Sequence, residues 1–444
     1  MEDTKKRPII TERREFLKSS ILLAGGAALS SLPFSGAYAA GTGTIKIALV
    51  GCGNRGTGAA AQALSTKYNV KLVAMADAFK DNLDKSVESL KKKFDATKFD
   101  LPQDRQFTGF DGYLHAIKEA DVVILATPPG FRPTHFAEAI KQSKHVFMEK
   151  PVATDSPGLR TVLASAEEAR RKKLNVVVGL QRRYQNNYRE VMGRIEDGAI
   201  GDIVSGQVFW NSGGVWVRPR TAGQTEMEYQ MRNWYYFNWL CGDHILEQHI
   251  HNIDIANWAK GSYPVSAYGA GSRALRTGKD HGEIFDNHSV EFVYADGSVV
   301  LSQCRHFEGS KNRVDEGFQG TKGRAYLAAP QNVGKLWNAK GGELYSYASP
   351  QTPNPYQTEH DELFAAIDAG KFKFADAERA AKSTLTALMG RYATYSGALI
   401  KWDEALNSQI DLMPERLAWD ALPKVLPGPD GFYPHAIPGK TKVI

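Results

Sequence analysis

"TIKIALVGCGNRGTGAAAQAL", residues 44–64, is the stretch on which the fold turns. Ile45 to Val50 is an apolar, β-type run, and an alanine-rich helical pattern follows Gly51-Cys52-Gly53-Asn54-Arg55-Gly56. A GxGxxG spacing alone says little, but between a strand and a helix it becomes a dinucleotide-binding turn. Gly51 allows the tight turn, Gly53 lets backbone approach a pyrophosphate, and Gly56 permits close helix–strand packing. The helix start, with Asn54 and Arg55, offers unpaired N–H groups and a positive dipole end to phosphate. The next strand pattern, "VKLVAMAD", ends at Asp77, about twenty residues on, where a carboxylate binds the adenosine ribose hydroxyls. A carboxylate there repels a 2′-phosphate, so NAD is expected over NADP; Arg55, a basic residue in the loop, keeps NADP open. Taken singly, Asp77 reads equally well as a strand-end turn residue.

Working outward, "ADVVILATPPG" and "KHVFMEKPVA" are buried-looking strands ending at Thr127-Pro128-Pro129 and Glu149-Lys150-Pro151. "LNVVVGLQRRY" is a last strand after a helix over 157–173. Strands alternating with helices imply an α/β fold with a doubly wound parallel sheet. Functional groups then belong at the carboxyl ends of strands, where Thr127 and Lys150 fall.

The glycine loop, the TPP turn followed by His135, "KHVFMEKP" and "VGLQRRY" together resemble the Gfo/Idh/MocA family, named for glucose–fructose oxidoreductase and inositol dehydrogenase. The resemblance runs from about residue 44 through the helix after residue 242 and is looser beyond. It implies a Rossmann domain over 43–183 and an α+β domain over 184–425 with an open mixed or antiparallel sheet that mediates homo-oligomers. Sugars or cyclitols are its usual substrates. It places Thr127, Pro128, His135, Glu149 and Lys150 with the glycine loop and Asp77 around the cofactor, and Lys150 beside the nicotinamide and the reacting hydroxyl. The chemistry agrees, because an ammonium stabilises the alkoxide that develops as hydride leaves. The proline after Lys150 restricts the backbone there, and the peptide before it is a candidate for the cis form. Arg182 and Tyr184 of the last motif are candidate substrate contacts.

"GDHILEQHIHNID", residues 242–254, holds three of the chain's eleven histidines. On one continuous helix His244, Glu247 and His251 share a face with Asp254, while His249 points elsewhere. The spacing is neither HExxH nor HxxEH and no carboxylate or cysteine partner is evident, so no metal site is expected. Against the family pattern His251 takes the place of the base and Asp254 that of a trailing structural aspartate. Glu247 replaces the usual aspartate, and His244 stands where the family has a small residue. Lys150, His251, Glu247 and His244 are therefore the candidate catalytic set, with a backbone-capping core role the alternative for His251. Just upstream, Tyr229, Trp234, Tyr235, Tyr236, Phe237 and Trp239 crowd together. Trp234 and Tyr236 are candidates to pack on a sugar ring, and a purely hydrophobic loop is the other reading. Arg218, Arg232 and Arg313 are candidates for an anionic substrate, with surface solvation the default.

Composition bounds the rest. The 444 residues are 42% hydrophobic and 23% charged, ordinary for a globular protein. Residues 1–39 carry six basic and four acidic side chains, leaving +4 of the net +6 on the remainder, too little and too scattered for nucleic acid. Arg13-Arg14, a weakly apolar run and Ala37-Tyr38-Ala39 resemble a twin-arginine export signal over 1–39, predicting an extracytoplasmic, periplasmic protein. No later run reaches membrane-spanning length, and Cys52, Cys241 and Cys304 form no CxxC pair. Antiparallel strands are predicted from residue 203, with a hairpin at Asp296-Gly297, then amphipathic helices over 357–370 and 375–399 and a tail over 426–444.

These readings lead first to an exported oxidoreductase acting on a sugar or glycoside with tightly bound NAD. A redox-neutral glycoside hydrolase is the second, in which transient oxidation at C3 acidifies the C2 proton and permits elimination. Relatives that do this tend to lack the EKP lysine, which is present here as Lys150. A carbohydrate-binding protein keeping the fold without turnover is the third.

Overall fold

The computed structural model describes residues 43–349 and 352–444; the segment read as an export signal lies outside the described residues. Six strands form the first sheet: β1 (Ile45–Val50), β2 (Val70–Asp77), β3 (Gln106–Thr108), β4 (Val122–Leu125), β5 (His145–Met148) and β6 (Val176–Val178). Their order is 3-2-1-4-5-6 and every pairing is parallel. Helices cover both faces, which is why β4 (VVIL) and β6 (VVV) are apolar and buried throughout. The strand order reverses between β1 and β4, which opens a crevice at their carboxyl ends. Gly51 turns there at φ +97°, and a Cβ on it would stand 2.4 Å from Thr127 N. On Gly56 a Cβ would stand 1.8 Å from Gly51 O, so the helix Asn54–Leu64 can lie on the strand only without one.

The second sheet has nine strands: β7 (Ile203–Ser212), β8 (Ser266–Ser272), β9 (Asn287–Val293), β10 (Val299–His306), β11 (Arg313–Gly320), β12 (Gly323–Ala328), β13 (Val333–Asn338), β14 (Glu343–Ser346) and β15 (Ile400–Lys401). Their order is 14-13-12-11-7-10-9-8-15. One row of its inner face runs Ala267, Phe292, Val300, Gly206, Phe318, Ala325 and Leu336 through successive cross-strand partners. This is the period-two alternation of a sheet packed on one side. The expected antiparallel pattern has one exception. β7 and β10 pair in parallel, which is open to them because the helices between residues 226 and 260 supply the long crossover that parallel neighbours require.

Two sequence expectations change in three dimensions. The helix Asp376–Ser396 is not amphipathic, since every residue from Ser383 to Tyr395 is buried. It lies among β6, β8, β9 and the helix Ser156–Arg171, and helices enclosed on all sides lose their polar stripe. Three of its threonine hydroxyls are satisfied internally: Thr384, Thr386 and Thr394 donate to the carbonyls of Ala380, Lys382 and Gly390. The C-terminal tail is irregular but fastened to its own chain, with Gly439 N donating to Ser396 O at 2.7 Å and Tyr433 buried.

Where β6 ends, one short turn, Gln181–Tyr184, reaches into the second half of the molecule. Arg182 pairs with Glu316 on β11, whose carboxylate also accepts from Tyr188 Oη and Asn252 Nδ2. Arg183 pairs with Asp254 at 2.6 and 2.9 Å, and Tyr184 Oη donates to Asp376 at 3.0 Å. Arg182, Glu316, Asp254 and Tyr184 are all buried. Arg182 and Tyr184, read from sequence as substrate contacts, are thus corrected to anchors: each polar head is committed to a partner away from the crevice.

Removing one partner of such a pair strands the other charge. Glu316→Ala is expected to lower the unfolding free energy by about 3–5 kcal/mol, and Arg182→Met with Glu316→Met together by less. Urea denaturation checks this. A cost below about 1 kcal/mol, the range of a surface pair, would remove the anchor role.

Candidate active site

At the carboxyl ends of β1, β4 and β5 lies a cleft of about 560 Å³. Gly51, Gly53, Asn54, Arg55, Gly56, Asp77, Thr127, Pro128, His135, Glu149 and Lys150 line it from the first sheet. Trp210, Trp216, Trp234, Glu247 and His251 line it from the second half. A Cβ on Gly53 would meet nothing within 4 Å, so the loop has open room where a pyrophosphate would lie. The helix Asn54–Leu64 begins with no side-chain cap and no acidic residue in its first turn, leaving its positive end for an anion. Asp77 closes the far side, its carboxylate accepting from Cys52 N at 2.7 Å and Phe79 N at 2.8 Å. Burial raises its pKa above the ordinary aspartate value, with those two N–H donors pulling against it. The residues present therefore fit a dinucleotide.

Arg55 is already engaged. Its guanidinium bonds Glu149, lies 4.0 Å from Glu359 and stacks over Tyr356. His135 stacks on Tyr113 with centroids 4.1 Å apart, and its Nδ1 lies 3.2 Å from Thr127 Oγ1. Burial, then Arg132, lowers its pKa to about 3, so it is a neutral part of the wall. The buried guanidinium of Arg132 donates to Leu125 O and Thr127 O, holding the end of β4 in place.

Lys150 is the centre of the reactive end. Its Nζ donates to Glu247 Oε1 at 2.9 Å and to the Glu247 carbonyl, and the peptide to Pro151 is cis. Both side chains are only 12% exposed, so a cation and an anion meet at the bottom of the cleft and not in bulk water. Glu247 Oε2 has no partner. His251 stacks on Trp210 with centroids 5.9 Å apart, and its Nδ1 is also without a partner. Burial, then the charges of Lys150, Arg182 and Arg55, holds this imidazole well below the ordinary histidine value. It is therefore a neutral imidazole beside a cation.

The continuous helix expected over residues 242–254 is broken. His244–Glu247 and Ile250–Lys260 are separate helical segments, and the kink between them turns Glu247 and His251 to the cleft. His244 does not follow. It is fully buried beside His288 and His306, behind the cleft wall, which corrects its place in the catalytic set. His249 points away, its Nε2 2.7 Å from Ser302 Oγ, and Asp254 is held by Arg183 and Ser383. Tyr236 is corrected too: it is fully buried, donates to Val215 O and meets Arg276, whereas Trp234 does face the cleft. Arg218 and Arg232 reach the cleft, but Arg232 pairs with Asp81 at 3.0 Å; Arg313 pairs with Asp315 and lies over Phe209. Sequence reading missed Trp210, Trp216 and Tyr356. Tyr356 comes from the helix Pro355–Asp368, some three hundred residues past the loop it covers, and no local pattern marks it.

Comparison with known proteins agrees with this geometry. Residues 45–179 match the model of an oxidoreductase family with an NAD-binding Rossmann fold, GFO_IDH_MocA, and residues 188–326 match the GFO/IDH/MocA C-terminal domain. Inositol 2-dehydrogenase of Rhizobium meliloti (strain 1021) is 24% identical over 336 residues, 74% of this chain and 90% of that protein. A glycosyl hydrolase family 109 protein of Streptomyces coelicolor is 25% identical over 166 residues, 37% of this chain and 33% of that one. Among solved structures, levoglucosan dehydrogenase in complex with NADH and levoglucosan superposes with a TM-score of 0.62 at 16% identity, covering 81% of this chain and 99% of that one. Scyllo-inositol dehydrogenase of Lactobacillus casei with NAD(H) and scyllo-inositol does so at 0.61 and 20%, over 81% and 100%. With both halves matched and the glycine loop, Lys150 and His251 gathered at one cleft, the chain belongs to the Gfo/Idh/MocA family of oxidoreductases.

Proposed function

We propose that this protein oxidises a ring hydroxyl of a sugar, cyclitol or glycoside with NAD held in the cleft, and that it works outside the cytoplasm after twin-arginine export. The observation that carries the chemistry is the meeting of Lys150, Glu247 and the neutral His251 at the end of the dinucleotide crevice. When bound there, NAD supplies the acceptor for the hydride. The hydroxyl proton passes to the His251 imidazole, while the Lys150 ammonium faces the oxygen and stabilises its negative charge as the C=O bond forms. Glu247 orients Lys150 and offers its free Oε2 to a neighbouring hydroxyl. Trp216 and Trp234, 5.8 Å apart, provide apolar faces for a sugar ring at the mouth. Asp77 at the ribose position supports NAD over NADP, as does the engagement of Arg55 by Glu149 and Glu359. Among the described residues no helix is long and apolar enough to cross a membrane. Self-association through the outer face of the second sheet, where Tyr268 is 55% exposed, belongs to the same proposal.

A second reading, redox-neutral glycoside hydrolysis, is supported by the family 109 relatives, which match this chain over less than half of their length. The two readings differ in product. Denaturing protein purified without added cofactor is expected to release NAD, and a responsive glycoside should convert the bound NAD to NADH. Net oxidised sugar supports the first reading. Hydrolysed glycoside with no net redox change supports the second, and a protein that neither carries nor binds dinucleotide refutes both.

Lys150→Ala is expected to lower kcat by on the order of 10²–10⁴-fold while dinucleotide is retained, since the ammonium acts on the hydroxyl oxygen. Unchanged turnover in that variant would end its assignment. The base must be unprotonated to accept the proton, and the depressed pKa of His251 keeps it so. The acid limb of kcat/KM should therefore lie below 6.5, the ordinary histidine value, and a limb at or above 6.5 would exclude His251 as the base.

A further inference from the structure

Behind the wall of the cleft, Asp243, His244 and His288 come together with one ligand atom each, all within 4.8 Å of one another. None is more than 1% exposed. His288 Nε2 lies 3.2 Å and His244 Nε2 lies 3.9 Å from Asp243 Oδ1. Tetrahedral ligands about 2.1 Å from a zinc ion stand about 3.4 Å from each other, so these separations bracket the required edge.

Hydrogen bonds from His244 N, Phe285 N and Tyr395 Oη place the Asp243 carboxylate, but none accounts for the His244 ring. Both ring nitrogens of His244 are buried with no hydrogen-bond partner, whereas His288 Nε2 faces the Asp243 carboxylate at 3.2 Å. His288 Nδ1, by contrast, is held by Thr394 Oγ1 at 2.9 Å, which aims Nε2 at the carboxylate in the manner of a metal-ligating histidine. His306 stacks on His244 with centroids 4.2 Å apart, and its nitrogens are unpartnered as well. Leaving so many buried polar atoms unsatisfied costs about 1–3 kcal/mol each.

Enclosure points the same way. The Asp243 carboxylate is enclosed, accepting from Phe285 N at 3.0 Å and from Tyr395 Oη. Its only ion-pair neighbours among the described residues are the two histidines. Asp243 also sits at φ 77°, ψ 160°, a conformation that residues other than glycine rarely adopt and that persists only where the surroundings impose it. Cys241 is not a competing ligand: its Sγ donates to Tyr235 O and accepts from Asp243 N.

We propose that Asp243, His244 and His288 bind one divalent transition-metal ion of zinc-like chemistry, and that it fastens the segment carrying Glu247 to β9 of the second sheet. Imidazole and carboxylate donors suit zinc better than magnesium or calcium, which prefer all-oxygen sets. The ion neutralises the buried carboxylate, takes the orphaned nitrogen lone pairs, and fixes the start of His244–Glu247, three residues from the carboxylate that holds Lys150. The inference does not depend on which sugar is the substrate or on whether the redox cycle closes.

Metal content of the full chain, purified without chelator, tests it by elemental mass spectrometry. About one zinc-class ion per chain is expected. His288→Gln should lower that content at least about tenfold, the smallest loss seen when even an outer-shell partner of a ligand is removed. Because a buried variant can misfold, the unaltered protein is also stripped with dipicolinate and titrated with Zn²⁺ alone. Stripping should lower the melting temperature, and Zn²⁺ should restore it with one-to-one uptake in equilibrium dialysis. Protein free of metal as purified that takes up no Zn²⁺ and shows no melting shift would overturn the site. Retention of stoichiometric metal in a folded His288→Gln variant would overturn its ligand assignment.

Discussion

The turn Gln181–Tyr184 is the constraint on which the two halves depend. Three successive residues each place a polar head on a different element: Arg182 on β11, Arg183 on the helix Ile250–Lys260, and Tyr184 on the helix Asp376–Ser396. The partners are buried, so water cannot substitute for a lost contact and the geometry is all or nothing. Between them they set where β11, the His251 helix and the central helix stand relative to the end of β6. The cleft exists because those positions leave Lys150 of one half facing Glu247 and His251 of the other.

Electrostatics at the cleft follow from this closure. Cations and anions are matched pairwise, Arg55 with Glu149 and Lys150 with Glu247, and the histidines between them are held neutral by burial and by the neighbouring positive charge. A neutral imidazole beside an ammonium is the protonation state that alcohol oxidation requires before hydride leaves. The same low-dielectric setting makes the pairs sensitive to one another, so a change at Glu247 is felt at both Lys150 and His251.

The side chains of the stretch from Gly242 to Asp254 face two different surroundings. Glu247 and His251 face the cleft; Asp243 and His244 face His288 on the second sheet. The kink at Gln248 and His249 makes that division possible, since a straight helix would have put His244 and His251 on one face. A carboxylate in the cleft is only as well placed as the backbone that carries it.

The dinucleotide half was legible in the chain itself. Its signals are local: strand, glycine turn, helix and Asp77 within some thirty residues, then Thr127 and Lys150 at strand ends, all of them at the cleft. Local steric demands, such as a turn that admits no Cβ at Gly51 or Gly56, write themselves into residue identity. The second half was legible in outline as a mixed sheet with helices, and Glu247 and His251, which spacing put on one helix face and the family resemblance marked as candidates, line the cleft. What the chain could not disclose is where polar side chains point once buried. Arg182, Tyr184 and Tyr236 look like cleft residues in one dimension, yet each is claimed by a partner from 21 to 192 positions away. His288 and Asp243 meet only because β9 folds against the segment before Glu247. Hydrophobic periodicity and turn chemistry are properties of neighbours in sequence, whereas the pairing of buried charges belongs to neighbours in space, and only the tertiary structure decides those.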